Sequence, residues 1–455
     1  MEHLEENERH QLWRNLQDAL LNDQMNQFRE AFLEMHPYDQ AKIFAEQPEE
    51  IRFQIYAYLS PTEMAKMVEH LDYAEVEPYI SEMDPRYAAS ILAEMSTDDA
   101  VDILNTLEKN KVASFLTIMN KQASAEIKDL LHYEEKTAGS IMTTEFVVIH
   151  ENQTVREAMI HLRKEAPDAE TIYYIYVISE KKKLVGVISL RDLIIAEEDT
   201  SIGDIMSERV VSVPVGENQE DIARMMRDYD FLAVPVIDFQ GHLLGIITVD
   251  DIMDVMEEEA NEDYSRLAAV GDMGRPDQNA LGAAKKRLPW LIILLFLGML
   301  TASLISRFEQ TLDQVAVLSI FIPLIAGMAG NTGTQALAVA IRGISTGEAE
   351  KEGKRKIVIR EAGTGIITGL ICGILIALLV YLWKGDFTLG ILVGLSIMAT
   401  LFVATIAGAM VPLIMHKLKI DPAVASGPFI TTINDLLSIL IYLGLATVFI
   451  QSLLS

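Results

Sequence analysis

The feature that most constrains this chain is a series of five long apolar segments in its last third. Together they are residues 288–306, 314–341, 362–383, 387–416 and 422–455. The first four contain no Asp, Glu, Lys or Arg, and the fifth contains only Asp435. A helix crosses a bilayer with about 20 apolar residues. One such segment could be a buried core helix, but five in succession predict an α-helical transmembrane domain over residues 285–455.

Charge divides the chain at residue 281. Of its 37 Lys+Arg and 66 Asp+Glu, 13 bases and 9 acids follow that point, which leaves 24 bases and 57 acids before it. An acidic part attracts cations, and it argues against nucleic acid as a partner because phosphates need positive charge. The single cysteine, Cys372, excludes a disulfide scaffold and a zinc-thiolate site within one chain.

Basic residues predict the orientation of the five segments. They precede the first segment at 285–287, and they recur in the loops at 342–360 and 417–419, whereas the opposite loops hold only Arg307 and Lys384. Cytoplasmic loops carry such an excess of Lys and Arg. The charged N-terminus lacks an apolar signal region. We therefore expect a multi-pass protein of the cytoplasmic membrane, in contact with lipid, with its N-terminus cytoplasmic and its C-terminus outside.

A short helical repeat marks the beginning of the acidic part. Prolines recur every 24 residues at 37, 61 and 85, each followed by apolar residues at helical spacing. Ser60, Asp84 and Ser96 precede the repeat units as candidate N-caps. Short helices of this kind bury their apolar faces only by stacking on one another. Residues 1–135 are thus predicted to form an all-α, superhelical N domain.

A second repeat occupies residues 136–263, with copies at about 136–200 and 201–263. "YYIYVISEKKKLVGVISLRDLI" resembles "FLAVPVIDFQGHLLGIITVDDIM", and each copy is typical of strand, helix, strand, turn, strand, helix. This pattern resembles a tandem pair of α/β cystathionine-β-synthase (CBS) domains. The closing segments "LVGVISLRDL" and "LLGIITVDDI" carry the resemblance.

The CBS resemblance implies a cleft that often binds adenosine nucleotides, with ATP as a regulatory ligand. Asp192 or Asp251 would hold the ribose hydroxyls, Arg191 would meet phosphate, and Tyr174 or Phe231 would flank adenine. The alternative is that the two aspartates only cap the helices that they open.

The second apolar segment carries polar residues among glycines. In "PLIAGMAGNTGTQ" the glycines at 327, 330 and 333 lie three apart, with Asn331 and Gln335 among them. Helix packing alone could explain the glycines. It does not explain the two amides, which need polar partners in an apolar setting. The pattern indicates a pore lining in which exposed carbonyls act as ligands for hard cations.

Asp435 is the one acidic residue that we place in the middle of a segment. It lies 14 residues after Asp421, about 21 Å along a continuous helix. A carboxylate at that depth should face a water-filled path or bind a cation, or else be protonated and bonded to a neighbouring helix. Pro428 is expected to free a backbone carbonyl nearby. A symmetric dimer would bring two such carboxylates to one axis and hold Mg²⁺ through its waters.

These features together resemble the MgtE family of magnesium channels, and "DPAVASGPFITTINDLLS" is as specific for it as the glycine motif. The resemblance implies a homodimer with one central pore, and a connecting (plug) helix over residues 264–284. It implies closure of the pore when intracellular Mg²⁺ binds acidic residues. The implied pore ligands are Asp435, Asn331, Thr334, Gly330 and Thr431. The implied regulatory ligands are Asp98, Asp102, Asp251, Asp254, Glu258, Glu259, Glu262, Asp263 and Asp421.

Three other functions are compatible with parts of the sequence. A transporter of another divalent cation such as Co²⁺ is the nearest alternative. A membrane-embedded enzyme would need a motif such as HExxH, and the one His-Glu pair, His150–Glu151, lacks the second histidine. A purely regulatory membrane receptor would not need the buried polar motifs. We therefore predict a Mg²⁺ importer and no enzymatic activity.

Overall fold

The computed structural model of the protein describes residues 13, 16–71, 73–269, 280–346, 349, 353–418 and 427–454. The chain divides into two compact units, Met1–Met256 and Glu257–Ser455. The boundary lies within one helix. Residues 270–279 of the predicted connecting helix, and Asp421, lie outside the described residues.

Short helices build the beginning of the first unit. They are α1 (Met25–Leu33), α2 (Pro37–Ala45), α3 (Glu49–Tyr58), α4 (Pro61–Val68), α5 (Tyr73–Glu82), α6 (Pro85–Leu92), α7 (Thr97–Thr106), α8 (Lys109–Ile118) and α9 (Lys121–Leu130). The repeat prolines open α2, α4 and α6, where the missing N–H group has no helical partner. Ser60 forms a capping box with Glu63, and Asp84 caps α6. Ser96 was expected to cap α7 but makes no capping bond, because its hydroxyl donates to Glu170.

Two three-stranded sheets follow with the same topology. Their elements are β1 (Phe146–His150), α10 (Val155–Glu165), β2 (Thr171–Ile178), β3 (Leu184–Ser189), α11 (Leu190–Ile195), α12 (Ile202–Ile205), β4 (Val213–Pro214), α13 (Gln219–Tyr229), β5 (Ala233–Ile237), β6 (Leu243–Thr248) and α14 (Val249–Leu267). In each sheet the first strand is parallel to the second, and the second is antiparallel to the third. The predicted CBS-like repeat is therefore present. The apolar core of the second copy is continuous with that of the helical repeat.

Helices dominate the second unit. They are α15 (Ala280–Ser306), α16 (Glu309–Gln314), α17 (Ile322–Ser345), α18 (Lys354–Lys384), α19 (Phe387–Lys417) and α20 (Gly427–Leu454). Among the described residues, five stretches are long and apolar enough to cross a membrane, as predicted. The central helix is α19, which packs against α17, α18 and α20. Tyr442 on α20 is fully buried, and its hydroxyl donates to the Leu318 carbonyl at 2.9 Å.

One membrane helix is longer than the apolar segment that predicted it. The third helix begins before its apolar segment and includes Glu361, which is 7% exposed and lies just outside that segment. Pro428 is the second described residue of α20, and the preceding turn, whose carbonyl it was expected to free, lies outside the described residues. Measured from Gly427, Asp435 is eight residues into the described helix, about 12 Å along its axis.

Candidate ion path, acidic cluster and nucleotide pocket

The second and fifth membrane helices meet at the glycine motif. A methyl group added to Gly330 would lie 3.3 Å from the Thr431 side chain. One added to Gly333 would lie 1.7 Å from the amide nitrogen of Asn434, so a side chain at that position would require Asn434 to move. The glycines therefore allow α17 and α20 to touch, and they place the predicted residues Gly330 and Thr431 in contact.

Asp435 lies at the edge of this crossing, one turn after Thr431 on the same face of α20. Its carboxylate makes no hydrogen bond or ion pair within the described part of the chain, and it is only partly buried. A protonated Asp435 bonded to a neighbouring helix was the alternative, and these contacts offer it no partner. The arrangement leaves both carboxylate oxygens free to accept from water or bind a cation.

The hydroxyl groups of the two predicted threonine ligands donate hydrogen bonds within their own helices. Thr334 donates to the Gly330 carbonyl at 2.9 Å, and Thr431 donates to the Pro428 carbonyl at 2.8 Å. Their oxygens therefore present lone pairs rather than protons, as a cation requires. Asn331 is exposed on α17 in the single chain. Gln335, one turn further on the same face, is exposed as well.

From the sequence, Asn434 was expected near Asp435 but was given no role as a ligand. Its side chain is 1% exposed, and neither its amide nitrogen nor its amide oxygen has a hydrogen-bond partner among the described residues. Its burial depends on how α20 is rotated against α17. Asn434 belongs to the motif "TTINDLLS", but nothing in the sequence indicated which side chain of that motif would face the glycines of α17.

A cluster of carboxylates surrounds Asp98 in the first unit. Asp98 is 8% exposed, and its Oδ1 atom has no hydrogen-bond partner among the described residues. Burial, then the charges of Asp251, Asp99 and Glu170, raise the pKa of Asp98 well above its usual value. The predicted ligands Asp98 and Asp251 are thus brought together although 153 positions separate them.

Two further carboxylates border this cluster and were not predicted. Burial raises the pKa of Glu69 and of Glu145 to about 7 in each case. Thr97 donates to Glu145 at 3.2 Å, and the Ser96 N–H donates to Glu69 at 3.3 Å. No sequence spacing indicated them, because their proximity arises from the packing of the N domain on the first CBS copy. In the described part of the chain, no three acidic, His or Cys side chains are close enough to hold a metal ion as they stand.

The remaining predicted regulatory residues differ in their surroundings. Asp102 lies one turn after Asp98 on α7 and is partly buried, whereas Asp254 and Glu258 are exposed and Glu259 is partly buried. Glu262 forms an ion pair with Arg266 on the same helix. Asp263 accepts a hydrogen bond from Ser345 at 3.1 Å, and burial raises its pKa.

The end of α14 lies against the two helices that cross at the glycine motif. Leu267 packs against Leu337 and Ile341 on α17 and against Ile430 on α20. Its carbonyl oxygen would lie 3.3 Å from a methyl group on Gly427. This contact, within the second unit, places the end of the acidic helix beside one end of the candidate ion path.

A pocket of about 580 Å³ opens in the CBS pair. Tyr174 and Arg191 line it, as predicted for a nucleotide site, together with Leu232 from the second copy. Phe231, the other aromatic residue predicted to flank adenine, does not line this pocket. Its ring stacks on the ring of Tyr229, with 5.4 Å between the ring centroids.

The two CBS aspartates show the capping arrangement that the sequence left open. Ser189 donates to the Asp192 carboxylate at 2.6 Å, and Thr248 bonds Asp251 in the same way. Neither aspartate lines the pocket.

Comparison with known proteins identifies the family. The MgtE model, a divalent cation transporter, matches residues 322–445; the MgtE intracellular N domain matches 35–136, and CBS domains match 138–199 and 202–258. The magnesium transporter MgtE of Enterococcus faecalis is 50% identical over 96% of both chains.

Two solved structures resemble the acidic part. The soluble part of a magnesium transporter has 53% identity and a TM-score of 0.54 over 56% of this chain and 100% of that one. The cytosolic domain of the Mg²⁺ channel MgtE in complex with ATP has 41% identity and a TM-score of 0.51 over 53% of this chain and 98% of that one.

Fold, site and matches together define a multi-pass membrane transporter of divalent cations, and not an enzyme. The chain belongs to the MgtE family of magnesium transporters, and Mg²⁺ is its transported substrate.

Proposed function

We propose that the protein is a Mg²⁺-selective channel that imports Mg²⁺, with Asp435 as the carboxylate over which the ion passes. The observation that carries this proposal is the unpartnered Asp435 carboxylate beside the Gly330–Thr431 contact. Thr334, Thr431, Asn331 and the Gly330 carbonyl supply the uncharged oxygens. Mg²⁺ loses its waters reluctantly, so a partly hydrated ion suits a site with few direct ligands.

The pore is proposed to form in a homodimer. One chain leaves the amides of Asn331 and Gln335 exposed on a helix of the membrane unit, where contact with lipid would be costly. A second copy placed across a two-fold axis covers these groups and brings two Asp435 carboxylates to one path. The N-terminus is proposed to be cytoplasmic and the C-terminus outside, on the loop charges given above.

Intracellular Mg²⁺ is proposed to close this pore. The Oδ1 atom of Asp98 is buried among other acids and has no hydrogen-bond partner in the described part of the chain, and a divalent cation would relieve both the repulsion and the missing bond. The side chains do not form a finished cage, so Mg²⁺ would draw them together and favour the state in which they are close. The end of α14 beside α17 and α20 supplies the mechanical link.

The direct test is removal of the carboxylate. Asp435→Asn keeps the shape and removes the charge, and we expect Mg²⁺ uptake into proteoliposomes to fall at least about 100-fold, because this charge stabilises the ion in a low-dielectric setting. Asp386→Asn, near the opposite end of the same bundle, serves as the control and should transport normally. Normal uptake by folded Asp435→Asn would exclude this ion path.

A Co²⁺ flux above the Mg²⁺ flux in the native protein would favour the alternative cation.

ATP is proposed as a regulatory ligand of the CBS pocket. The related cytosolic domain was crystallised with ATP, and this chain keeps an arginine and a tyrosine in the pocket wall. Arg191→Ala should weaken ATP binding about 10–150-fold, since a charge-assisted bond to phosphate contributes roughly 1.5–3 kcal/mol. Isothermal titration on the full chain measures this, with Arg163→Ala, exposed on α10, as the control. Equal affinities for both variants would remove Arg191 from the site.

A further inference from the structure

Asn434 is placed where a polar side chain has no structural purpose. The helix crossing at Gly333 needs only volume, and leucine has nearly the same shape as asparagine. A buried amide group that lacks hydrogen-bond partners destabilises the folded state. Both amide atoms of Asn434 are unsatisfied among the described residues, and the side chain is 1% exposed. Packing therefore does not account for the amide.

The surroundings of Asn434 connect it to the ion path. Thr431 and Asn434 are three residues apart on one face of α20, and they contact Gly330 and Gly333, which are three apart on α17. Asp435 lies one turn after Thr431 on the same helix. The amide thus lies in the contact that also contains the proposed ligands, and it is held in place because it occupies the space of the missing side chain at Gly333.

We propose that Asn434 is a positioning residue for hydrated Mg²⁺: its carboxamide bonds a water molecule of the ion that Asp435 holds. This inference rests on the proposed role of Asp435. Mg²⁺ keeps several of its waters, and such waters need acceptors and donors in fixed positions. An amide offers both, and groups that orient the ligands of a metal typically change affinity or activity 10–100-fold when they are removed.

The test compares two isosteric substitutions in the full-length protein in proteoliposomes, with Mg²⁺ or Co²⁺ as the permeant ion. Asn434→Leu should melt no lower than the native protein, because it removes two unsatisfied groups, yet its Mg²⁺ flux should fall about 10–100-fold. Its preference for Mg²⁺ over Co²⁺ should also decrease. Thr400→Val is the matched control: Thr400 is 1% exposed on α19 with an unpartnered hydroxyl, and its flux and preference should not change.

The outcomes separate the two proposals. If Asp435→Asn stops transport while folded Asn434→Leu keeps native flux and native ion preference, Asn434 has no positioning role and the path at Asp435 stands. If Asp435→Asn transports normally, both fail. Should Asn434→Leu not fold, the pair Asn434→Ser and Asn434→Ala decides. These two variants differ by one hydroxyl group. The serine variant should conduct Mg²⁺ about 2–10-fold faster than the alanine variant, because its hydroxyl can form one hydrogen bond to the water molecule. Equal flux through the two variants would overturn the proposal.

Discussion

Asp98 shows how a single buried carboxyl group can make the stability of a domain depend on pH. Its pKa is raised by burial and by neighbouring carboxylates, and burial raises the pKa of Asp251 to about 7. A carboxyl group whose folded pKa is raised holds its proton in the folded state at a pH where the unfolded chain has released it. The free energy of unfolding therefore falls as pH rises from about 4 to about 7.

The expected result is a pH-dependent protection of α7. In chelator, amide hydrogen exchange in the segment Thr97–Thr106 should be at least about tenfold better protected at about pH 5.5 than at about pH 8, after correction for intrinsic rates. Asp98→Asn should reduce this difference, and so should millimolar Mg²⁺ at the higher pH. Asp84→Asn, an exposed cap outside the cluster, is the control. Equal protection at both pH values would show that the pKa values of these carboxyl groups are not raised in the folded protein.

The sequence predicted some residues of the candidate sites and missed others, for a physical reason. Gly330, Thr431 and Asp435 were found because residue type and spacing within one helix already limit what they can do. Glu145 and Asn434 were missed because their importance depends on burial, which follows from how distant segments pack.

The membrane helices show a similar limit at the scale of elements. Apolar composition located all five, yet α18 begins at Lys354, eight residues before its apolar segment. Hydropathy marks the part of a helix that prefers lipid, whereas hydrogen bonding continues the helix through Arg360 and Glu361. The N-domain helices were located better, because proline and capping residues act directly on the first turn.

The α18–α19 pair depends on close backbone contact, which a matched pair of substitutions can measure. A methyl group on Gly373 would lie 2.7 Å from the Gly394 carbonyl oxygen, whereas one on Gly363, on the same helix, would meet nothing within 4 Å. Gly373→Ala should destabilise the protein by about 1–3 kcal/mol, since the backbones must separate. Gly363→Ala should be neutral or stabilising by up to about 1 kcal/mol. Thermal unfolding in detergent measures both, and equal melting temperatures would contradict the close packing.

At the scale of the whole molecule, an acidic part with 57 acids and 24 bases is joined to a nearly neutral membrane part. The helical repeat and the CBS pair bring carboxylates together that the chain order keeps apart. Without counterions these groups repel one another. One exposed charge pair is worth only about 0–1 kcal/mol, so no single bridge would control a pore. Several shared ions across a dimer could supply the roughly 5.5 kcal/mol that changes a two-state ratio from 1:99 to 99:1.

The gating proposal therefore predicts a graded loss of inhibition by Mg²⁺. Asp98→Asn or Asp251→Asn alone should raise the inhibitory Mg²⁺ concentration by no more than about tenfold, or about 1.4 kcal/mol, because the remaining carboxylates of the cluster still bind the ion. Neutralising Asp98, Asp251 and Asp263 together should raise it much further. A chain that begins at residue 264 should stay open at high internal Mg²⁺. The measurement is channel current in excised patches while Mg²⁺ is varied on the cytosolic face.

Two comparisons make this result decisive. Asp192→Asn removes one acidic charge from a capping position outside the Asp98 cluster, so it should leave the inhibitory concentration unchanged and exclude a simple effect of net charge. The truncated chain must also lose its flux when Asp435→Asn is added, which shows that the current still uses the same path. If the truncated channel closes over the same Mg²⁺ range as the intact one, the sensor lies in the membrane unit. The buried acids around Asp98 would then stabilise the fold only at low pH and have no part in gating.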